Sequence, residues 1–64
     1  MLCYDKYGQP ISFNDYVEVE TDIGTHKGYV NFISKDRVRV NCLPGEFRVR
    51  PDKITLIKNV EYNH

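Results

Sequence analysis

The sequence lacks most of the features that would narrow its function at once. No segment carries a helical period of useful length, so strands and turns must build the fold. No apolar run approaches the ~20 residues of a membrane-spanning helix. Met1-Leu2-Cys3-Tyr4 runs straight into Asp5 and Lys6, which is no secretory leader, and a cytoplasmic protein away from membranes is expected. Cysteine is scarce: Cys3 and Cys42 are the only two, and no CxxC is present. One disulfide is open to them, but the cytoplasmic reading favours two free thiols. His26 and His64 are not spaced to complete a metal site, so neither metal nor cofactor is expected. Repeats, linkers and low-complexity tracts are missing too, and 64 residues make one domain, residues 1–64, with a thin core. Net charge is zero, with nine basic and nine acidic residues, where a domain built for nucleic acid is often strongly basic.

Charge is nevertheless unevenly placed. Residues 35–53 hold Lys35, Arg37, Arg39, Arg48, Arg50 and Lys53 against Asp36, Glu46 and Asp52. The first 24 residues hold Asp5, Asp15, Glu18, Glu20 and Asp22 against Lys6 alone. Within the basic half, residues 36–51 alternate apolar and basic side chains on both sides of Leu43-Pro44-Gly45. A period of two marks half-buried strands. Val38, Val40, Phe47 and Val49 fall on one face, and Arg37, Arg39, Arg48 and Arg50 on the other. Pro44 is expected at the first corner of the turn and Gly45, with positive φ, at the second. Loops of two or four residues give the same parity, in which arginine opposes arginine. Like charges opposed across strands are destabilising, so a patch of this kind suggests an anionic partner. A solvated face quieted by Glu18, Glu20 or Glu46 is the plainer account of the same arginines.

In chain order, residues 4–11 read as a short strand, a turn at Tyr7-Gly8 and a return. Phe13-Asn14-Asp15 forms a corner, and Tyr4, Tyr7 and Phe13 are expected to cover an open end of the fold. Residues 16–21 are a strand with Val17 and Val19 inward and Tyr16, Glu18 and Glu20 outward. Residues 22–28, which include Gly24-Thr25-His26-Lys27-Gly28, read as a loop whose Lys27 adds charge. In the strand over 29–33, Val30 and Ile33 both suit a core yet lie three apart, and a β-bulge between them restores the facing. Tyr29 is then outward. Phe32 has two placements: a core filler or, if Ile33 pairs with Val38, an outward neighbour of Arg39. Pro51-Asp52-Lys53 fits a one-turn helix, residues 54–58 a last strand, and residues 59–64 a polar tail. Five short strands of this kind predict a small closed all-β barrel.

Residues 14–33, from Asn14-Asp15-Tyr16-Val17-Glu18-Val19 to Gly28-Tyr29-Val30-Asn31-Phe32-Ile33, resemble the opening of an SH3-like barrel of the KOW or Tudor kind. That opening reads Gly-Asp-x-Val-x-Val, a glycine-bearing loop, then Gly-x-Val-x-x-Ile; Asn14 stands where the family has glycine. Residues 49–57 are similar to the family's valine strand, one-turn helix and final apolar strand. The resemblance implies a five-stranded SH3-like barrel and a module that docks RNA, DNA or protein. The short chain is also similar to a bacteriophage reading frame.

These readings converge on a non-enzymatic binding module. Arg37, Arg39, Arg48 and Arg50, with Tyr29, Phe32, Lys27 and Lys35, are the expected contacts for RNA or single-stranded DNA. Guanidinium forks suit phosphate, and aromatic rings suit bases. A second reading sets the same patch against an acidic protein surface, as an adaptor or inhibitor of a transcription, translation or host-defence complex. A third is a small homo-oligomer in which the arginine hairpin meets Glu18 and Glu20 of another copy. Catalysis is not expected: His26 has no evident partner, Cys42 has no nearby base, and so small a barrel offers no deep pocket.

Overall fold

Valine and isoleucine at alternate positions fit a pleated, half-buried surface, and they set the architecture. The computed structural model describes residues 3–43 and 45–57. β1 (Cys3–Tyr4) and β2 (Pro10–Ile11) pair as a short antiparallel ribbon. β3 (Tyr16–Thr21), β4 (Gly24–Ile33), β5 (Val38–Cys42), β6 (Gly45–Val49) and β7 (Ile54–Leu56) form one antiparallel sheet in the order β6-β5-β4-β3-β7. A single 3-10 turn, Pro51–Lys53, precedes β7, with proline in its first turn as expected. The fold is thus all-β, with five main strands and a one-turn helix before the last. Among the described residues no helix is long and apolar enough to cross a membrane.

The inner face of the sheet carries the core. Val17, Val19, Val30, Val38, Val40 and Ile54 are fully buried, with Ile33, Phe47, Val49 and Leu56 packed at their margins. The bulge falls where the valine pattern requires it. Val30 pairs with Val40 and Ile33 with Val38, and the register shifts between Val30 and Phe32. Phe32 therefore pairs with Arg39 on the outer face, which decides between its two placements. Asn14 takes φ of 72°, a left-handed conformation that asparagine tolerates better than most residues, so it fits the corner.

Several expectations are corrected. The sheet is not closed into a barrel, since no ladder joins β6 to β7 among the described residues. The ribbon supplies the reason. The outer edge of β7 is already bonded to it, with Lys6 N–H donating to the Ile54 carbonyl at 2.8 Å and Leu56 N–H to Asp5 Oδ2 at 2.9 Å. At its other end the ribbon meets the β4–β5 turn, where the Cys3 thiol donates to the Ser34 carbonyl at 3.0 Å. The cover over the core comes from Cys3 and Ile11, not from Tyr4, Tyr7 and Phe13, which are exposed. Register explains this: Cys3 opposes Ile11 on the inner side, so alternation turns Tyr4 outward.

The segment read as a loop over 22–28 is mostly strand. Thr21 pairs with Gly24, so only Asp22 and Ile23 lie in the turn, and Gly24 relieves it with φ of 118°. Likewise Cys42, the last residue of β5, pairs with Gly45, which is the first residue of β6. The register moves by two residues from a turn centred on Pro44-Gly45, and the parity survives. Pro44 and residues 58–64, including the expected polar tail and the end of the last strand, lie outside the described residues.

Candidate functional site

The outer face of the sheet is where the exposed chemistry gathers. Its rows follow from the registers. Arg48, Arg39 and Phe32 lie in one row across β6, β5 and β4. Glu46, Asn41, Tyr29 and Tyr16 make the next, reaching β3. Lys27, Glu18 and Thr55 make a third. The expected opposition of arginines is met at Arg39 and Arg48.

The bulge does more than turn Phe32 outward. It adds Asn31 between Val30 and Phe32, and Asn31 bridges two charged residues. Its Oδ1 accepts from Arg39 Nε at 3.1 Å, and its Nδ2 donates to Glu46 Oε2 at 3.1 Å. Arg39 Nε also lies 3.5 Å from Glu46 Oε2. The Arg39 guanidinium carbon sits 4.8 Å from the centroid of the Phe32 ring, a cation–π distance. Arg39 is thereby held from one side through Nε. Among the described residues its terminal nitrogens make no protein hydrogen bond, and the Arg48 side chain makes none at all. A bulge that re-aims side chains is often found beside a functional site.

Two shallow clefts flank this centre. One, of about 230 Å³, is lined by Phe32, Arg37, Val38, Arg39 and Arg48. The other, of about 430 Å³, is open to solvent and is lined by Tyr16, Lys27, Gly28, Tyr29, Asn41, Cys42 and Leu43. Tyr16 and Tyr29 stack at a tilt with centroids 5.0 Å apart. Leu43, at the tip of the arginine hairpin, is 99% exposed. Among the described residues none of the fully buried side chains is aromatic, whereas Phe32 is 48% exposed and Tyr29 56%.

The structure brings together Arg39, Arg48, Arg37, Phe32, Tyr29 and Lys27 of the expected residues. Arg50 lies beyond the end of β6 with its Nε 3.7 Å from Asp52 Oδ1, and Lys35 sits in the β4–β5 turn, off the strands that carry the face. Of the two acids in the oligomer reading, Glu20 is already engaged. Glu20 Oε2 accepts from Lys6 Nζ at 2.7 Å, a contact that lowers the glutamate's pKa and raises the lysine's, and Glu18 lies opposite Lys27.

Tyr16, Asn31, Asn41 and Leu43 were not evident as site residues. Tyr16 reads as outward, but its place beside Tyr29 depends on the two-residue turn at Asp22–Ile23. His26 faces inward opposite Val19 and stacks on Phe47 at 4.8 Å, so it belongs to the packing below the sheet. Cys3 and Cys42 are unpaired and buried, and burial pushes the Cys42 thiol's pKa up, which keeps it protonated. No family model, no curated protein and no solved structure matches the chain.

Proposed function

We propose that the chain is a non-enzymatic binding module that docks single-stranded nucleic acid, RNA or DNA, on the outer face of its sheet. The observation that carries this reading is the placement of Phe32. The bulge turns the ring out of the core and sets it 4.8 Å from the Arg39 guanidinium, beside a cleft that also holds Arg37 and Arg48. A chain short of large core residues would gain more from burying this ring, ~1.5–3 kcal/mol, than from an exposed cation–π contact of ~0.5–1 kcal/mol. As a platform for a base it has a use, because stacking on an aromatic ring contributes ~1–3 kcal/mol per base and tolerates any sequence. Tyr29 offers a second ring one row away.

The polar groups divide the work. The terminal nitrogens of Arg39 and Arg48 are free to donate to phosphate oxygens, and Arg37 and Lys27 extend the positive surface into the two clefts. Glu46 and Asn31 hold Arg39 in place through Nε at the expense of some local charge. A neutral chain of this kind binds through a local patch, so its salt dependence reports a few contacts only. The KOW-like pattern of residues 14–33 accords with such a role.

The test is fluorescence anisotropy of a labelled single-stranded oligonucleotide. Arg39→Gln with Arg48→Gln should remove most binding while circular dichroism stays unchanged. Phe32→Ala should weaken binding roughly five- to hundredfold, the equivalent of one lost stack. A folded double variant that binds as well as the native chain would overturn the reading. Binding only to an acidic protein, with Phe32→Ala nearly silent, would transfer the arginines to the second reading.

A further inference from the structure

The sheet has two edges, and they are treated differently. Residues 54 and 56 of β7 direct their backbone groups away from β3, and Asp5 and Lys6 take them up. β6 has no such cover among the described residues. Ser34 N–H donates to the Arg37 carbonyl at 2.9 Å, so the next pair, Ile33 and Val38, is the non-bonded one. Val38 therefore turns its backbone groups toward β6, and the alternation of an antiparallel ladder then gives Phe47 and Val49 to β5. Glu46 and Arg48 are left with N–H and C=O groups pointing outward along the open edge. Both residues are exposed. An uncovered edge of this kind is a template for another strand.

We propose that β6 pairs antiparallel with β6 of a second copy of this chain, about a two-fold axis through Phe47. Charge selects both the partner and the register. With Phe47 opposite Phe47, Glu46 lies opposite Arg48 of the second copy, and Arg48 opposite its Glu46. The same register matches the free backbone groups, because Glu46 and Arg48 are the residues that can exchange both hydrogen bonds across the seam, four bonds in all. Shifting the second copy so that Arg48 opposes Arg48 sets like charges against each other. Arg48, which opposes Arg39 within its own hairpin and makes no ion pair among the described residues, gains an acidic residue directly opposite. On the inner side the half-buried Phe47 rings meet at the axis, and two sheets become one continuous surface. The pairing leaves Arg39, Phe32 and Tyr29 exposed on the outer face and shares Arg48 with the nucleic-acid reading, so it is tested without nucleic acid present.

The test is sedimentation equilibrium of the full chain up to about 1 mM, a range that reaches weak edge pairing. The native chain should show a monomer–dimer equilibrium. Glu46→Arg and Arg48→Glu each turn both cross-copy pairs into like charges and should raise the dissociation constant roughly tenfold or more. Mixed one to one, the two variants make both pairs opposite again, and a heterodimer should form at the native affinity or better. A native chain that stays monomeric throughout the range overturns the proposal. So does a dimer that survives both single substitutions, or two folded variants that remain monomeric when mixed. If either variant fails to fold, backbone amide exchange of the native chain decides. The Glu46 and Arg48 amides should exchange at least tenfold more slowly in concentrated than in dilute solution, and equal rates would overturn the pairing.

Discussion

Replacing Asp5 by asparagine should destabilise the fold far more than a change of one surface atom would. Asp5 is only 5% exposed, and its carboxylate accepts from Tyr7 N–H at 2.9 Å, Gln9 N–H at 2.8 Å and Leu56 N–H at 2.9 Å. The first two close the β1–β2 turn, and the third ties the ribbon to β7. Asparagine keeps one carbonyl oxygen for Tyr7 and Gln9 but presents its amide N–H₂ to the Leu56 N–H. One charge-assisted bond is lost, a buried donor is stranded, and two bonds become neutral. Bonds to charged groups contribute about 1.5–3 kcal/mol each, which makes a loss of ~2–4 kcal/mol reasonable. A domain this small has on the order of 3–10 kcal/mol in all.

Urea denaturation followed by circular dichroism reads the effect, and the midpoint should fall by roughly 2–4 M if the slope is about 1 kcal/mol/M. Burial raises the Asp5 pKa, but hydrogen bonds from Leu56, Gln9, Tyr7 and Gly8 more than offset it, and the net shift is downward. The unfolded chain therefore binds the proton more readily. Native stability from this group is present above the unfolded carboxylate value near ~3.9 and is lost as pH falls through the lower folded value. The Asp5→Asn variant should lack that part of the acid dependence. A midpoint within about 0.5 M of the native one, with the same acid profile, would refute the role assigned to Asp5.

Other positions offer equally direct checks. Gly28→Ala should cost about 1–3 kcal/mol or more by urea titration, because its Cβ would run into the Asn41 carbonyl and lie 2.9 Å from Cys42 Sγ, where backbone cannot give way. Both thiols should react slowly with a disulfide reagent in the folded protein and fully in denaturant, since Cys3 and Cys42 are unpaired and buried; fast labelling of Cys42 at neutral pH would contradict its raised pKa.

The parts of this fold that are legible in the sequence are those set by local alternation. Val30 and Ile33 cannot share a face three residues apart without a bulge, and the bulge is there. Arginine must oppose arginine in any hairpin with an even loop, and Arg39 opposes Arg48. Turn positions are harder to read, because Gly24 and Gly45 serve as the first strand residues after their turns, a use that composition does not distinguish from a loop. Asp5 is invisible because its partner Leu56 is 51 residues away. The closed barrel failed for the same reason: the ribbon that occupies β7's edge is a tertiary fact. At the site, the arginines and Tyr29 follow from parity. Asn31 does not, since the pattern places a bulge without saying what the extra side chain will bridge.

The salt dependence of single-stranded oligonucleotide binding by the native chain tests the central claim most directly. Four cationic contacts, Arg37, Arg39, Arg48 and Lys27, predict a slope of log affinity against log salt of about −2.8. Between ~50 and ~200 mM salt the affinity should then fall roughly fiftyfold. A chain that binds no oligonucleotide at the low-salt end, or one whose affinity is insensitive to salt, would contradict the account.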